Sequence, residues 1–357
     1  MSVFEGLGPQ PEARPRLEAA LQAPGHAYLL AGPHGSGKRA YAERFAAALL
    51  DTTVQRLRSG GHPDLFRVEP EGSGILMDQA RALRRDLYMR PFEAQRRVYL
   101  VLDAHLLGDA SANALLKSLE EPPAYGVFVL VSDHVERMLP TILSRLEIVS
   151  FRRYSTAQLT EQVGDPVAAR SALGDMERAE RLARDADAAA RRRTYLAIAR
   201  ASLRDPAFDP SAAAAEIARC AAQAGKAATA RIEKEGEALA QTVDDTREQK
   251  ALEKRTAERA KRVGRRAELD ELREALDTVA WWYRDVLAAA VGAEGVVVHS
   301  DLAGEAVEDA QHGAAQELAR GLGVVAETRQ SLDMNVQPAL AIEALFHELR
   351  RTSVQTM

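Results

Sequence analysis

The chain has 357 residues, 46% of them hydrophobic and 28% charged, which describes a globular protein of two or three domains and excludes a single small module. A formal charge of −5 excludes a globally basic nucleic-acid binder, and the single cysteine, Cys220, excludes an intramolecular disulfide and a thiolate zinc site. No basic-then-apolar leader and no apolar run of about 18 residues is found, so a cytoplasmic protein without membrane contacts is expected.

In chain order, residues 1–153 alternate short apolar runs with helical patterns. The run Ala27–Ala31 is followed by Gly32-Pro33-His34-Gly35-Ser36-Gly37-Lys38-Arg39 and a helical stretch over 40–50. Further apolar runs lie at 98–102, 127–131 and 148–151. Continuous apolar strands of about five residues separated by helices predict a parallel sheet covered on both faces, a doubly wound α/β P-loop domain. The strand signals stop after residue 153. Residues 154–205 read as a small helical domain, with Met176, Ala179, Leu182 and Ala183 at helical spacing, and 206–357 as an Ala-rich all-helical domain. There Trp281, Trp282 and Tyr283 stand beside Val286 and Leu287 and read as core before interface. Between about 225 and 275 runs a highly charged stretch carrying Lys250, Lys254, Arg255, Arg259, Lys261, Arg262, Arg265 and Arg266. Because Glu248, Glu253, Glu258 and Glu268 interleave with them, a solvated helix face is favoured over a patch for DNA or an acidic partner.

The chemistry-bearing segment is the glycine-rich loop. A phosphate loop works because glycines let backbone N–H groups curl around a phosphate at a helix N-terminus, while a lysine reaches the outer phosphates and a hydroxyl ligates magnesium. Gly32, Gly35 and Gly37 supply the curl and Lys38 the charge, but position 39 is arginine and has no hydroxyl. Asp103 closes the 98–102 run where a metal-binding acid belongs, or serves as a strand-end cap. Ala104 and His105 follow it where a general-base carboxylate would stand. Hydrolysis by this chain is therefore not expected, and a bound ATP or ADP is neither required nor favoured.

The segment Asn113-Ala114-Leu115-Leu116-Lys117-Ser118-Leu119-Glu120-Glu121-Pro122-Pro123 follows, and then Leu139-Pro140-Thr141-Ile142-Leu143-Ser144-Arg145. Together with the words at 26–29, 61–65 and 75–81, they make residues 26–151 resemble the delta-prime group of the bacterial DNA polymerase III clamp-loader family of AAA+ proteins. Residues 335–343 resemble that family's closing collar helix. The resemblance implies an AAA+-like P-loop domain over 1–153, a helical lid over 154–205 and an all-α collar over 206–357. It implies the other loader subunits, delta and tau/gamma, as partners, with the sliding clamp and primed DNA reached through the complex. In this family Ser144 and Arg145 would belong to a motif that offers an arginine in trans to a neighbour's ATP, though its third letter here is Leu146 in place of cysteine. Relatives carry a four-cysteine zinc module where this chain has residues 51–60, so no zinc is expected. The turn at 174–178 resembles a sensor-2 turn with Glu177 at the phosphate-facing position, where an acid would repel a triphosphate. The resulting expectation is a non-hydrolysing, ring-closing subunit that needs no cofactor, its vestigial nucleotide residues being Gly32, Gly35, Gly37, Lys38, Arg39 and Asp103. The alternatives are an active tau/gamma-like ATPase of the same complex, or a DNA-binding protein using 250–266.

Overall fold

In the computed structural model, residues 2–58, 61–70, 74–240, 246–332 and 337–354 are described. Contacts divide the chain into two units, Met1–Glu180 and Arg181–Met357.

The first unit is built on a five-stranded parallel sheet, β1 (Ala27–Ala31), β2 (Leu65–Val68), β3 (Arg97–Val101), β4 (Gly126–Ser132) and β5 (Glu147–Ser150), in the order β2-β3-β4-β1-β5. Side chains alternate across the pleat, so each central strand feeds two cores. Tyr28, Leu30, Val98, Leu100, Val127 and Val129 face one side. Leu29, Tyr99, Val101, Phe128 and Leu130 face the other. Helices α1 (Ala13–Gln22) and α2 (Lys38–Leu49) cover the first side, α3 (Val54–Arg58) packing beside them, and α4 (Met77–Asp86) and α5 (Asp109–Glu120) cover the second. Each fully buried Leu or Val contributes about 1.5–3 kcal/mol, so the sheet interior dominates the stability of this unit. A short α6 (Pro140–Leu143) enters β5, and α7 (Thr156–Val163), α8 (Pro166–Ser171) and α9 (Met176–Arg184) follow. Tyr154, Leu159, Ala169, Ala172, Met176 and Ala179 form their small separate core.

Four strands fall where the apolar runs place them, within a residue at each end. Strand β2 does not follow from such a run, because it is an edge strand of four residues with Arg67 in it and only Val68 buried.

The regular elements of the second unit's described residues are helices: α10 (Ala186–Arg204), α11 (Pro210–Ala240), α12 (Thr246–Ala290), α13 (Ala303–Asp309), α14 (Ala315–Ser331) and α15 (Pro338–Val354). Its core gathers Tyr195, Ile217, Leu276, Trp282, Val286 and Phe346. Trp282 and Tyr283 are core residues, at 0% and 2% exposure. The division at Glu180 does not coincide with the expected boundaries at 153 and 205. Helices α7 to α9 fall in the sheet unit down to Glu180, while α10 joins the helical core through Tyr195, Leu196 and Ala199.

The charged stretch forms the distal part of an antiparallel hairpin of α11 and α12. Small residues let the two backbones meet: a Cβ on Gly225 would lie 3.0 Å from the Gly264 carbonyl, and Thr229 Oγ1 donates to the Ala260 carbonyl at 3.4 Å. Lys250, Lys254, Arg259, Lys261, Arg262, Arg265 and Arg266 are exposed, which fits a solvated face and a partner-facing patch alike; the side chain of Arg255 lies outside the described residues. Asn335 and Val336 of the 335–343 word, and Ser59 and Gly60 of the 51–60 segment, also lie outside them. No helix among the described residues is long and apolar enough to cross a membrane.

Candidate functional site

The glycine-rich loop joins β1 to α2 at the carboxyl edge of the sheet. Gly35 (φ 71°) and Gly37 (φ 80°) adopt left-handed conformations. A Cβ at Gly35 would collide with the Asp175 carboxylate, and one at Gly37 with the Tyr154 hydroxyl, so both positions require glycine twice over. Gly32 has φ 155° and its N–H donates to the Ser132 carbonyl at 3.3 Å. The buried Gln10 amide donates to the carbonyls of Ser36 (2.9 Å) and Arg152 (2.8 Å), pinning the loop from behind.

Lys38 does not point into an open seat. Its ammonium is 3% exposed, pairs with Asp133 at 2.7 Å and donates to the Pro33 carbonyl at 2.6 Å and Ser36 Oγ at 3.3 Å. Asp133 was not singled out from the sequence, yet it follows the last residue of β4, and β4 lies beside β1 with Ser132 level with Ala31. A polar residue at the carboxyl end of the strand next to the loop is the signal that could have found it.

Two more acids close the other side. Asp175 caps α9 by accepting from the Arg178 N–H at 2.9 Å, and it accepts from His34 Nδ1 at 2.9 Å. The next N–H, of Met176, donates to the Gly35 carbonyl at 2.9 Å, so the start of α9 is bonded directly to the loop. The hydrogen bond to Asp175 raises the His34 imidazole to a pKa of about 9, with burial opposing. Partial burial, and then Asp175, push the Glu177 carboxyl up, while His34, Arg39 and Lys38 draw it back; the residue still reaches solvent. Cations His34 and Lys38 and carboxylates Asp133, Asp175 and Glu177 thus cluster where a triphosphate would need net positive charge.

The remaining nucleotide positions are turned elsewhere. Arg39 pairs with Glu69 at 3.0 Å and approaches Glu43 at 3.9 Å, leading away from the loop. Asp103, two residues past β3, adopts a left-handed conformation (φ 50°), makes no side-chain cap, and is not the acid that meets Lys38. Beyond it Ala104 is buried and His105 is 3.4 Å from Ser132 Oγ. Burial holds the His105 imidazole below its ordinary value, with Asp103 opposing. Within the described part of 51–60, Arg58 pairs with Glu43 (2.7 Å) and Arg56 with Glu93 (2.8 Å). Among the described residues no group of three or more His, Cys, Asp or Glu is arranged to hold a metal.

Arg145 sits at the end of α6. Its guanidinium does not project freely: it pairs with Glu120 at the end of α5 and donates to the Thr141 carbonyl at 2.5 Å and Ser144 Oγ at 3.1 Å. Ser144 Oγ in turn donates to the Thr141 carbonyl at 3.1 Å. The words at 113–123 and 139–145 are thereby joined in space by one ion pair.

Residues 10–155 match the family model described as DNA polymerase III, delta subunit. This segment is similar to that family. The chain is 43% identical over 134 residues to the DNA polymerase III subunit delta' of Pseudomonas aeruginosa, a stretch covering 34% of this chain and 41% of that one. It is 32% identical over 171 residues to the subunit gamma/tau of Mycobacterium tuberculosis, covering 42% of this chain and 29% of that protein. The chain thus spans about two fifths or less of the length of these curated relatives. A Thermotoga maritima DNA polymerase III gamma subunit-related protein shares the fold across 96% of this chain and 99% of its own, with a TM-score of 0.51 at 17% identity. The chain therefore carries a parallel-sheet α/β fold like that of the Thermotoga maritima protein, followed by a helical region.

Proposed function

We propose that the chain is a delta-prime-type subunit of a clamp loader. It closes one end of the ring beside delta and a tau/gamma ATPase, and takes part in loading the sliding clamp onto primed DNA in the cytoplasm. The observation that carries this reading is the ion pair of Lys38 with Asp133 inside a loop already closed by Asp175. A lysine satisfied by its own protein, with no hydroxyl at 39 and no carboxylate at 104 or 105, lacks the parts that phosphoryl transfer uses. The same loss argues against the active-ATPase alternative in spite of the gamma/tau likeness. Arg145 supplies the outward role: always charged and forked, it suits a γ-phosphate held by a neighbour once Glu120 lets go.

Reconstitution with the other loader subunits tests both halves. The isolated chain should show no ATP turnover above a Lys38→Ala control. In the complex, Arg145→Ala should lower DNA-stimulated ATPase at one site by about 10³-fold or more, leave assembly intact, and be poorly rescued by Arg145→Lys. A Lys38-dependent rate of the order of 1 per second in the isolated chain would restore the active-ATPase reading. Normal ATPase and clamp loading with Arg145→Ala would reduce the role to structural closure.

A further inference from the structure

Arg145 has a single charged partner among the described residues, Glu120, the last residue of α5. That acid is misplaced for its own helix. The carboxyl end of a helix carries the negative end of its dipole, so a cation such as Lys117 is favoured in the last turn and a carboxylate is not. Burial does not explain it either, because the Glu120 side chain is 45% exposed. Pro122 and Pro123 already stop the helix without its help. What Glu120 does make is the contact with Arg145 Nη2.

Both members of the pair stand on rigid supports. Leu115 and Leu119 of α5 share a core with Ile142 and Leu146 at the α6 turn, all 9% exposed or less. The turn is closed by the Ser144 N–H donating to the Pro140 carbonyl and the Arg145 N–H to the Ile142 carbonyl, both at 3.0 Å. From there the guanidinium directs Nη1 to two neutral acceptors, the Thr141 carbonyl and Ser144 Oγ, and Nη2 to Glu120. A guanidinium has five N–H donors, so these contacts do not use them all. The neutral contacts fix its direction and leave its charge intact; only Glu120 cancels that charge. An exposed pair of this kind biases an equilibrium by about fivefold or less. It holds the arginine but yields to a more highly charged anion.

We propose that Glu120 is a positioning residue that keeps Arg145 paired within its own subunit and yields it to the phosphates of a neighbour's ATP. The step is an exchange of ion pairs in which no covalent bond changes: the guanidinium passes to a phosphate oxygen and the carboxylate passes to water. A triphosphate sets several negative charges against the single one of Glu120, so it wins the guanidinium once within reach. Glu120 thereby sets the ATP concentration at which the arginine engages. The proposal rests on the trans role of Arg145 proposed above and adds what restrains it.

The test is DNA-stimulated ATPase of the reconstituted complex against ATP concentration, with wild type, Glu120→Gln, Arg145→Ala and the double variant. Glu120→Gln should lower KM for ATP about two- to fivefold, a larger change than it makes in kcat. The difference from wild type should narrow as salt rises from about 0.05 to 0.3 M, because screening releases an exposed pair without a mutation. The double variant should match Arg145→Ala. In the isolated chain Glu120→Gln should leave Tm nearly unchanged, since relief of the helix end offsets the lost pair. A KM that stays the same or rises would overturn the proposal, as would the same KM shift in the Arg145→Ala background. A lower Tm with KM unmoved would make the pair a structural tie and nothing more. The two readings fail separately: normal ATPase with Arg145→Ala removes the trans role and this proposal with it, whereas a loss with Arg145→Ala beside a silent Glu120→Gln removes only the restraint.

Discussion

His34 shows how a single side chain can do a phosphate's work in reverse. A phosphate loop gathers positive charge for its ligand; here the imidazole pairs with Asp175, the residue that caps α9. Its pKa is raised from 6.5 to about 9, so the protonated form is preferred in the folded protein. A group whose pKa rises on folding contributes fully below its unfolded value and loses that contribution as pH climbs through the folded one. The contact should therefore help at pH 6, fade between about 6.5 and 9, and be absent above. The imidazole side chain is 66% exposed, so screening keeps the effect small. Chemical denaturation of wild type against His34→Gln should show a stability gap at pH 6 that closes by about pH 9. A gap independent of pH would mean that packing, not charge, holds His34. Lys38 and Arg145 could be singled out from the sequence because the roles expected of them depend on residue type at a fixed spacing. Asp133 and Asp175 could not, because they meet the loop only after two strands or three helices have been folded against it. Nor could the sequence show Arg145 held by Glu120, a contact between residues 25 apart.

At the scale of elements, the hairpin of α11 and α12 reverses an ordinary rule. Replacing glycine inside a helix by alanine normally gains about 0.5–1 kcal/mol, because the unfolded chain has less freedom to lose. At Gly264 the added methyl would strike the Thr229 hydroxyl and stand 3.0 Å from the Gly225 carbonyl. The two helices touch backbone to backbone there, so the new atom forces them apart. Gly264→Ala should cost about 1–3 kcal/mol, the usual range for overpacking, and thermal melts should register it as a lower Tm. Gly323, on α14, meets nothing within 4 Å of such a methyl, and Gly323→Ala should follow the ordinary rule and stabilise. Equal gains at both sites would show that the hairpin is not closely packed. Helices as a class were legible from alanine content and periodicity, and four strands from apolar runs. The pairing of α11 with α12 was hidden inside a charge pattern, because small residues that let backbones meet carry no hydropathy signal.

At the scale of the whole molecule, the placement of α10 decides where the chain can be cut. Sequence periodicity joins residues 154–205 into one lid, yet Tyr195, Leu196 and Ala199 are buried among α11, α12 and α15 residues. Tyr195 donates its hydroxyl to Glu271 at 2.8 Å, and Arg191 and Arg192 pair with Glu271 and Asp301 at 3.0 Å. A fragment ending after Arg184 keeps the sheet and the bonded start of α9, and it should melt cooperatively as a monomer. A fragment ending at 205 carries α10 without its partners, leaving the faces of Tyr195, Leu196 and Ala199 in water; it should bind a hydrophobic dye and self-associate. Neither fragment should join a reconstituted loader if assembly runs through the helical unit, although both retain Arg145 and its turn. Size-exclusion chromatography of the two fragments, alone and with the other subunits, reads all of this at once. If the 205 fragment is as monomeric as the shorter one, α10 is stable without the helical core. If either fragment enters the complex, the assembly contact lies in the sheet unit, and the helical unit's role must be sought elsewhere.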